Sequence, residues 1–355
     1  MLQTPLCHDL GIDYPILSVG FGAGAGPELA AAVSNAGGCG VLGTTDLASI
    51  PRRVARLREL TSRPFGVNVI LAVRDAPTVE GLVAEAPPVL VLFWGDALPW
   101  VEKAHRRGTR VFIQVGSVKE AEAAADAGVD AVIAQGFEAG GHVRGTTALS
   151  VLVPEVVEAV RPLPVIASGG VATGRGLVAA LALGAQGVSM GTRFVACTET
   201  FAAQTFKERV VSSTAEDTVY ADALFDNGWP NAPHRALRNA IVAEWEDAGR
   251  PSPGARADEG SFVGRMRFGD EWDAVPRYAP IMVTPEFEGD IEQVPLWAGQ
   301  SVSLVRDIKP AAEIVRDIVR EAEATIAELG TLVAPGAERI EGPVPTAAGS
   351  RKTPS

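Results

Sequence analysis

The sequence predicts an α/β fold, a (β/α)8 TIM barrel followed by an additional C-terminal segment that is mainly helical or irregular. Three observations carry this reading. Short β-branched apolar runs recur eight times in the first 200 residues, starting 21 to 26 residues apart with one wider gap of 33. Helical patterns separate them. Glycine gathers in the same region, 26 of the chain's 38 lying in residues 1–200. Near-continuous apolar runs are what strands covered on both faces require. Eight strand–helix units are enough to close a barrel. An open, doubly wound parallel sheet is the alternative that this pattern leaves.

The strand runs are Pro15–Val19, Cys39–Gly43, Phe65–Leu71, Val89–Trp94, Arg110–Gly116, Ala131–Gly136, Pro164–Gly170 and Gly187–Gly191. Between them, helical periodicity covers Pro27–Ala36, Ile50–Leu60, Leu98–Arg107, Lys119–Ala127, Leu149–Val160 and Gly174–Leu183. Pro27 suits a first helical turn, and Gly108, Gly128 and Gly184 fall where helices should end. After Thr192 the period stops. Phe201–Thr214 reads as a helix, Val219–Val294 as irregular with a helical pattern at His234–Ala248, and Ala311–Leu329 as a long amphipathic helix docking on the barrel. Residues 1–200 are thus expected to form the barrel and 201–333 an appended lid or subunit contact. Helix 311–329 closes that appendage, and 334–355 form a Pro/Gly/Ala-rich disordered tail.

Charge follows the same division. The net charge of −12 splits into −3 over residues 1–200 and −9 over residues 201–355. An acidic chain without Lys/Arg runs is a poor binder of nucleic acid or of anionic membranes. Its longest apolar run, Pro87–Trp94, is far short of the roughly 20 residues that span a bilayer. Residues 1–11 lack the basic flank and apolar core of a secretory signal. Cys7, Cys39 and Cys197 have no metal-type spacing, and so sparse a set suits a reduced compartment. The expectation is a soluble cytoplasmic protein without a metal site.

One motif is set aside. Gly20-Phe-Gly-Ala-Gly-Ala25, with Asp46 some 20 residues on, fits a dinucleotide fingerprint. The pattern is weak in a chain with 38 glycines. A barrel's first loop also needs glycines for a ligand's close approach.

Three constellations carry chemistry. The densest, Ala134-Gln-Gly-Phe-Glu-Ala-Gly-Gly-His-Val-Arg-Gly145, follows the sixth strand, where barrel active sites lie. Gly140 and Gly141 admit a flat ligand, and His142 titrates near neutrality as a base or donor. His8 and His105 read as surface residues, and His234 as the start of a helix. The second constellation pairs Ala167-Ser168-Gly169-Gly170 after strand seven with Ser189-Met190-Gly191-Thr192 after strand eight. Backbone amides of those loops at a helix start form the common phosphate site of barrels. Asn68, Gln114 and Gln135 are the third. Amides within apolar strands need partners. A heteroaromatic ring edge would supply them, as would one another or buried water.

These residues make the chain resemble the nitronate monooxygenase family, FMN-dependent (β/α)8-barrel flavoenzymes. The matching stretches are Pro27–Gly38, Gly66-Val-Asn68, Gln135-Gly-Phe-Glu-Ala-Gly-Gly-His142, Ala167–Gly170, Met190-Gly-Thr-Arg-Phe194 and the late Pro295-Leu-Trp-Ala-Gly-Gln300. The resemblance implies that Asn68, Gln135 and Gly140 contact the flavin of FMN, with Gly22, Gln114 and Gly141 as further cofactor-binding candidates. It implies that Ser168, Gly169, Gly170, Ser189, Met190, Gly191 and Thr192 hold its phosphate and ribityl chain. His142 is then the catalytic base, and the substrates are an alkyl nitronate or nitroalkane and O2, giving a carbonyl compound and nitrite. Related flavoenzymes instead use NAD(P)H to reduce quinones or enoyl thioesters, and a non-catalytic FMN-binding partner protein is a further reading. A homodimer is compatible with either. At the end of strand one, Ser18-Val-Gly-Phe-Gly22 replaces the family's Ala-Pro-Met-Gly, which makes Phe21 a candidate substitute for that methionine.

Overall fold

The computed structural model of the chain describes residues 2–43, 46–268 and 271–332. In chain order, the strands of its first half are β1 (Ile16–Ser18), β2 (Gly40–Gly43), β3 (Phe65–Ile70), β4 (Val89–Phe93), β5 (Arg110–Val115) and β6 (Ala131–Gln135). The two-residue β7 (Gly141–His142), β8 (Val165–Ser168) and β9 (Gly187–Met190) follow. All but β7 pair in parallel in one eight-stranded sheet, and β9 returns to β1. The remaining seam, between β1 and β2, is closed by backbone. Ser18 N–H donates to the Cys39 carbonyl at 3.1 Å, and Cys39 N–H donates to the Ile16 carbonyl at 2.9 Å. One side chain completes it, because Val41 N–H donates to the Oγ of the fully buried Ser18 at 2.9 Å. The hydroxyl stands in for a carbonyl that the three-residue β1 is too short to provide. The sheet is therefore a closed barrel rather than the open, doubly wound alternative.

The helices are α1 (Pro5–Leu10), α2 (Pro27–Asn35), α3 (Ile50–Leu60), α4 (Ala76–Ala84), α5 (Leu98–His105), α6 (Val118–Asp126), α7 (Leu149–Val160), α8 (Gly174–Ala182) and the short α9 (Thr192–Val195). Three of them, α1, α4 and the four-residue α9, escape the sequence reading. α4 has Pro77 in its first turn and carries Gly81, yet Asp75 caps it by accepting from Thr78 N–H at 3.1 Å. α1 is a six-residue plug whose Leu6, Cys7 and Leu10 seal the bottom of the barrel interior. Above that plug the interior holds Leu17, Cys39, Val41, Val89, Val91, Phe112, Ala131, Ile133 and Ile166. Alternation along each strand then sends Asn68, Gln114, Gln135, Ser168 and Ser189 inward at the C-terminal mouth.

The second half contains α10 (Gln204–Ser212), β10 (Thr218–Ala221), β11 (His234–Leu237), α11 (Ala240–Asp247), β12 (Phe262–Phe268), β13 (Glu271–Pro276), β14 (Phe287–Gly289) and α12 (Ala311–Gly330). Val219–Val294 is thus not irregular throughout, and His234 begins a strand rather than a helix. The apolar spacing of Leu237, Ile241, Val242 and Trp245 imitates one helix, but Asn239 interrupts it by capping α11 through Val242 N–H at 3.3 Å. The residues before that cap are free to pair, and β11 becomes the centre of an antiparallel sheet in the order β10–β11–β7. β12 forms a second sheet with β13 and β14. α12 docks on α8 so closely that a Cβ on Gly174 would overlap the backbone of Ile318 and Ala322. Among the described residues, no helix is long and apolar enough to cross a membrane. The tail expected at 334–355 lies outside them.

The seam yields a test. Ser18→Ala removes the acceptor for a buried amide, which should cost about 1–3 kcal/mol. The urea midpoint should fall while far-ultraviolet circular dichroism of the native state is unchanged.

Candidate active site

The loop from β6 to α7 is folded back over the mouth. Gly140 presses on the backbone of Ala298 and Gly299, where any Cβ would overlap, and Gly141 adopts φ of 69°. Gly299 N–H in turn donates to Thr192 Oγ1 at 3.0 Å. The late Pro295–Gln300 segment therefore bridges the loop after β6 and the start of α9.

His142 is fixed from two sides. Its carbonyl accepts from Gln135 Nε2 at 2.8 Å, while Gln135 Oε1 accepts from Arg144 N–H at 2.9 Å. The inward amide of Gln135 is thus used to brace the loop. On the other side His142 pairs with His234 of β11. Opposed residues of an antiparallel pair share a face, so the two imidazoles meet, with ring centres 5.8 Å apart. His234 is fully buried and has one tautomer. Phe225 N–H donates to its Nε2 at 3.2 Å, so its Nδ1–H donates to the Ala232 carbonyl at 3.0 Å. Burial pushes its pKa down to about 4.

Tryptophans complete the enclosure. His142 stacks on Trp229 at 3.9 Å, with Trp297 at 5.4 Å and Trp94 at 6.1 Å. Trp94 ends β4 with φ of 59°, a backbone conformation that a bulky residue adopts only when its surroundings impose it. Inside this cage the Nε2 of His142 is buried and has no hydrogen-bond partner. Burial, and next the neighbouring His234, hold the imidazole well below its ordinary pKa. It is a neutral base at pH 7 with one nitrogen uncommitted.

The opposite face of the small sheet carries Arg235, buried between the rings of Phe137 and Tyr220, with its guanidinium carbon 4.9 and 5.8 Å from their centres. It donates to the Phe137 carbonyl at 3.1 Å. No carboxylate of the described residues pairs with it, and burial lowers its pKa. Its effect is to clamp the glycine-rich loop.

The remaining candidates divide. Ser168 and Ser189 are buried at the mouth, and neither hydroxyl has a hydrogen-bond partner among the described residues. Gln114 is likewise uncommitted. Asn68 donates to the Val91 carbonyl at 3.2 Å and lies under Gly20 of the first loop. Gly22 has φ of 56° and open space beside it, and Gly169 and Gly170 adopt φ of 96° and 71°. Met190 belongs to the core between sheet and helices, so only its backbone faces the mouth. The start of α8 is already capped. Thr173 Oγ1 accepts from Gly176 N–H at 3.2 Å, and Glu321 of α12 accepts from Gly174 N–H at 2.7 Å. The start of α9, by contrast, carries no side-chain cap. Phe21 packs with Met282, a residue of the second half, in place of acting alone. His105 is exposed beside Asp130, and His8 is exposed.

Sequence reasoning missed the cage. Trp94 was reachable, since an aromatic directly after a barrel strand sits at the working face. Trp229 and Trp297 read only as aromatics of a lid or subunit contact and His234 as a helix start, because all three meet His142 across some 90 to 155 residues.

Comparison with known proteins adds a family. The nitronate monooxygenase family model matches residues 3–84 and 72–321. A nitronate monooxygenase of Paraburkholderia phytofirmans is 31% identical, over 90% of this chain and 95% of its own. A (3aS,4S,5R,7aS)-5-hydroxy-7a-methyl-1-oxo-octahydro-1H-indene-4-carboxyl-CoA dehydrogenase of Rhodococcus jostii is also 31% identical, over 93% of this chain and 99% of its own. FabK from Thermotoga maritima superimposes with a TM-score of 0.79 at 33% identity, over 94% of this chain and 100% of that one. With a matching family model, a closed barrel and relatives aligned over nearly their whole length, the chain is an oxidoreductase that belongs to the nitronate monooxygenase family.

Proposed function

We propose that the chain oxidises alkyl nitronates with O2 to a carbonyl compound and nitrite, using FMN, and accepts neutral nitroalkanes through His142. The observation that carries this reading is the buried, unpaired Nε2 of His142 inside the aromatic cage at the barrel mouth. The residues fit the cofactor. The hydroxyls of Ser168 and Ser189, with the backbone of Gly169, Gly170, Met190, Gly191 and Thr192, would hold the phosphate and ribityl chain. Gly22, Asn68, Gln114, Gly140 and Gly141 would border the ring. FMN, when bound there, supplies an acceptor for the substrate's electrons and a route for them to oxygen. Gln135, His234 and Arg235 hold the loop, and His142 Nε2 takes the proton from the carbon bearing the nitro group. The tryptophans disfavour the imidazolium by desolvation, so it passes its proton to solvent as the product leaves and is neutral again.

A second reading, hydride exchange between a coenzyme A thioester and the same site, is favoured by the Rhodococcus relative named for such a substrate. Anaerobic mixing separates the two. Flavin bleaching by a nitronate and not by NADH supports nitronate oxidation; bleaching by NADH alone transfers the assignment to the second reading.

Two further outcomes are expected. His142→Asn should lower kcat/KM for neutral nitroethane by about 10²–10⁴, the usual worth of a positioned base, while ethyl nitronate, already deprotonated, is spared. The pH profile follows from the depressed pKa. The neutral imidazole is the active form and persists below pH 6.5, so the acid limb for nitroethane should lie well under that value. Trp229→Ala admits water and should move the limb upward, toward the ordinary imidazole range; a limb that stays in place would remove His142 from the proton transfer.

A further inference from the structure

Beside the mouth lies a space that the proposed reaction leaves unused. A cavity of about 270 Å³ opens between the loop after β4, β5 and α6. Its floor is apolar, built from Ile113 and Val115 of β5, Ala97 just before α5, Ala124 of α6 and Ala127 at the end of α6. Alanine on α6 leaves room that larger side chains would fill at ordinary packing density.

The cavity shares a wall with the site. Trp94 and Gln114 line it, and so does Arg144. Trp94 also faces His142 in the cage, and the Arg144 amide is held by Gln135. The guanidinium of Arg144 lies 4.9 Å from the centre of the Trp94 ring and donates through Nε to Glu120 at 2.6 Å. Glu120 is itself tied to Gly116 N–H at 2.8 Å. A braced Trp–Arg pair therefore stands between the two spaces, with charged groups at the rim and hydrocarbon beneath.

Size decides what fits. Sites for whole small molecules run from about 300 to 1,000 Å³, so this cavity suits one arm of a ligand. We propose that it is the subsite for the hydrocarbon tail of the substrate whose reacting carbon is held at His142, with Trp94 and Arg144 as its throat. The proposal rests on the nitronate reading for the identity of the reacting group alone.

The test compares 1-propyl and 1-decyl nitronates on the FMN-loaded enzyme. In the wild type, KM should fall by about fourfold for each buried methylene. Ala127→Leu and, separately, Ala124→Leu occupy the cavity. Each should raise KM for the decyl compound by about tenfold or more, two methylenes' worth, with kcat and the propyl KM unchanged. A chain-length dependence that survives both variants overturns the subsite, as do equal losses on both substrates. Binding of 1-decanol, followed by tryptophan fluorescence, reads the subsite without turnover. Binding that is weakened in Ala127→Leu supports it even if no nitronate is oxidised, and equal binding in wild type and variant overturns it.

Discussion

Everything at the mouth depends on one short pairing, Gly141–His142 against His234–Arg235. It joins a loop of the barrel to a strand of the appendage. The antiparallel register puts both histidines on one face and Arg235 on the other, so the pairing aims His142 and clamps its loop in one step. Slipping that register by one residue would turn His142 out of the cage and Arg235 into it. The pairing is small, and it is reinforced at each end: Gln135 holds the His142 carbonyl, and β10 flanks β11 on its far side.

Electrostatics follow from the same enclosure. A buried imidazole loses hydration, which disfavours its charged form. His234 shares this environment, but both its nitrogens are satisfied, so it packs and orients. His142 keeps one nitrogen free. Two chemically identical side chains in one cluster thus have different capacities, separated by hydrogen bonding rather than by residue type. Arg235 cannot discharge in this way, and its guanidinium is met by two ring faces and a carbonyl, which stabilise a cation without a counter-ion.

The barrel was legible because its physics is local. Apolar runs such as Val89–Phe93 and Ala131–Ala134 need cover on both faces, and Gly108, Gly128 and Gly184 mark where each helix stops. The inward amides and serines were legible through strand parity, and His142 through its place after the sixth strand. Ser18 read as a departure from a family motif, and the fold gives it work at the seam instead. What the sequence hid is non-local. His234 looked like a helix start because the apolar spacing beyond it is helical; only the availability of β7 and β10 makes it a strand. The cap of α8 by Glu321 was equally invisible, since it joins residues 147 apart.

That same sequence separation has a consequence for the order of folding. Most barrel strands pair with neighbours a few tens of residues away, at modest loop-closure cost, while the closing β1–β9 pairing joins Ile16 to Val188. His142 meets His234 and Trp229 only after the appendage has been built and laid over the mouth. All eight barrel strands precede the appendage in the chain, so the ring can be complete before the enclosure that sets the state of His142 is laid over it. Ring and enclosure are separate inheritances of the chain: substitutions around Trp229 and Trp297 reshape the site while the eight strands beneath keep their packing.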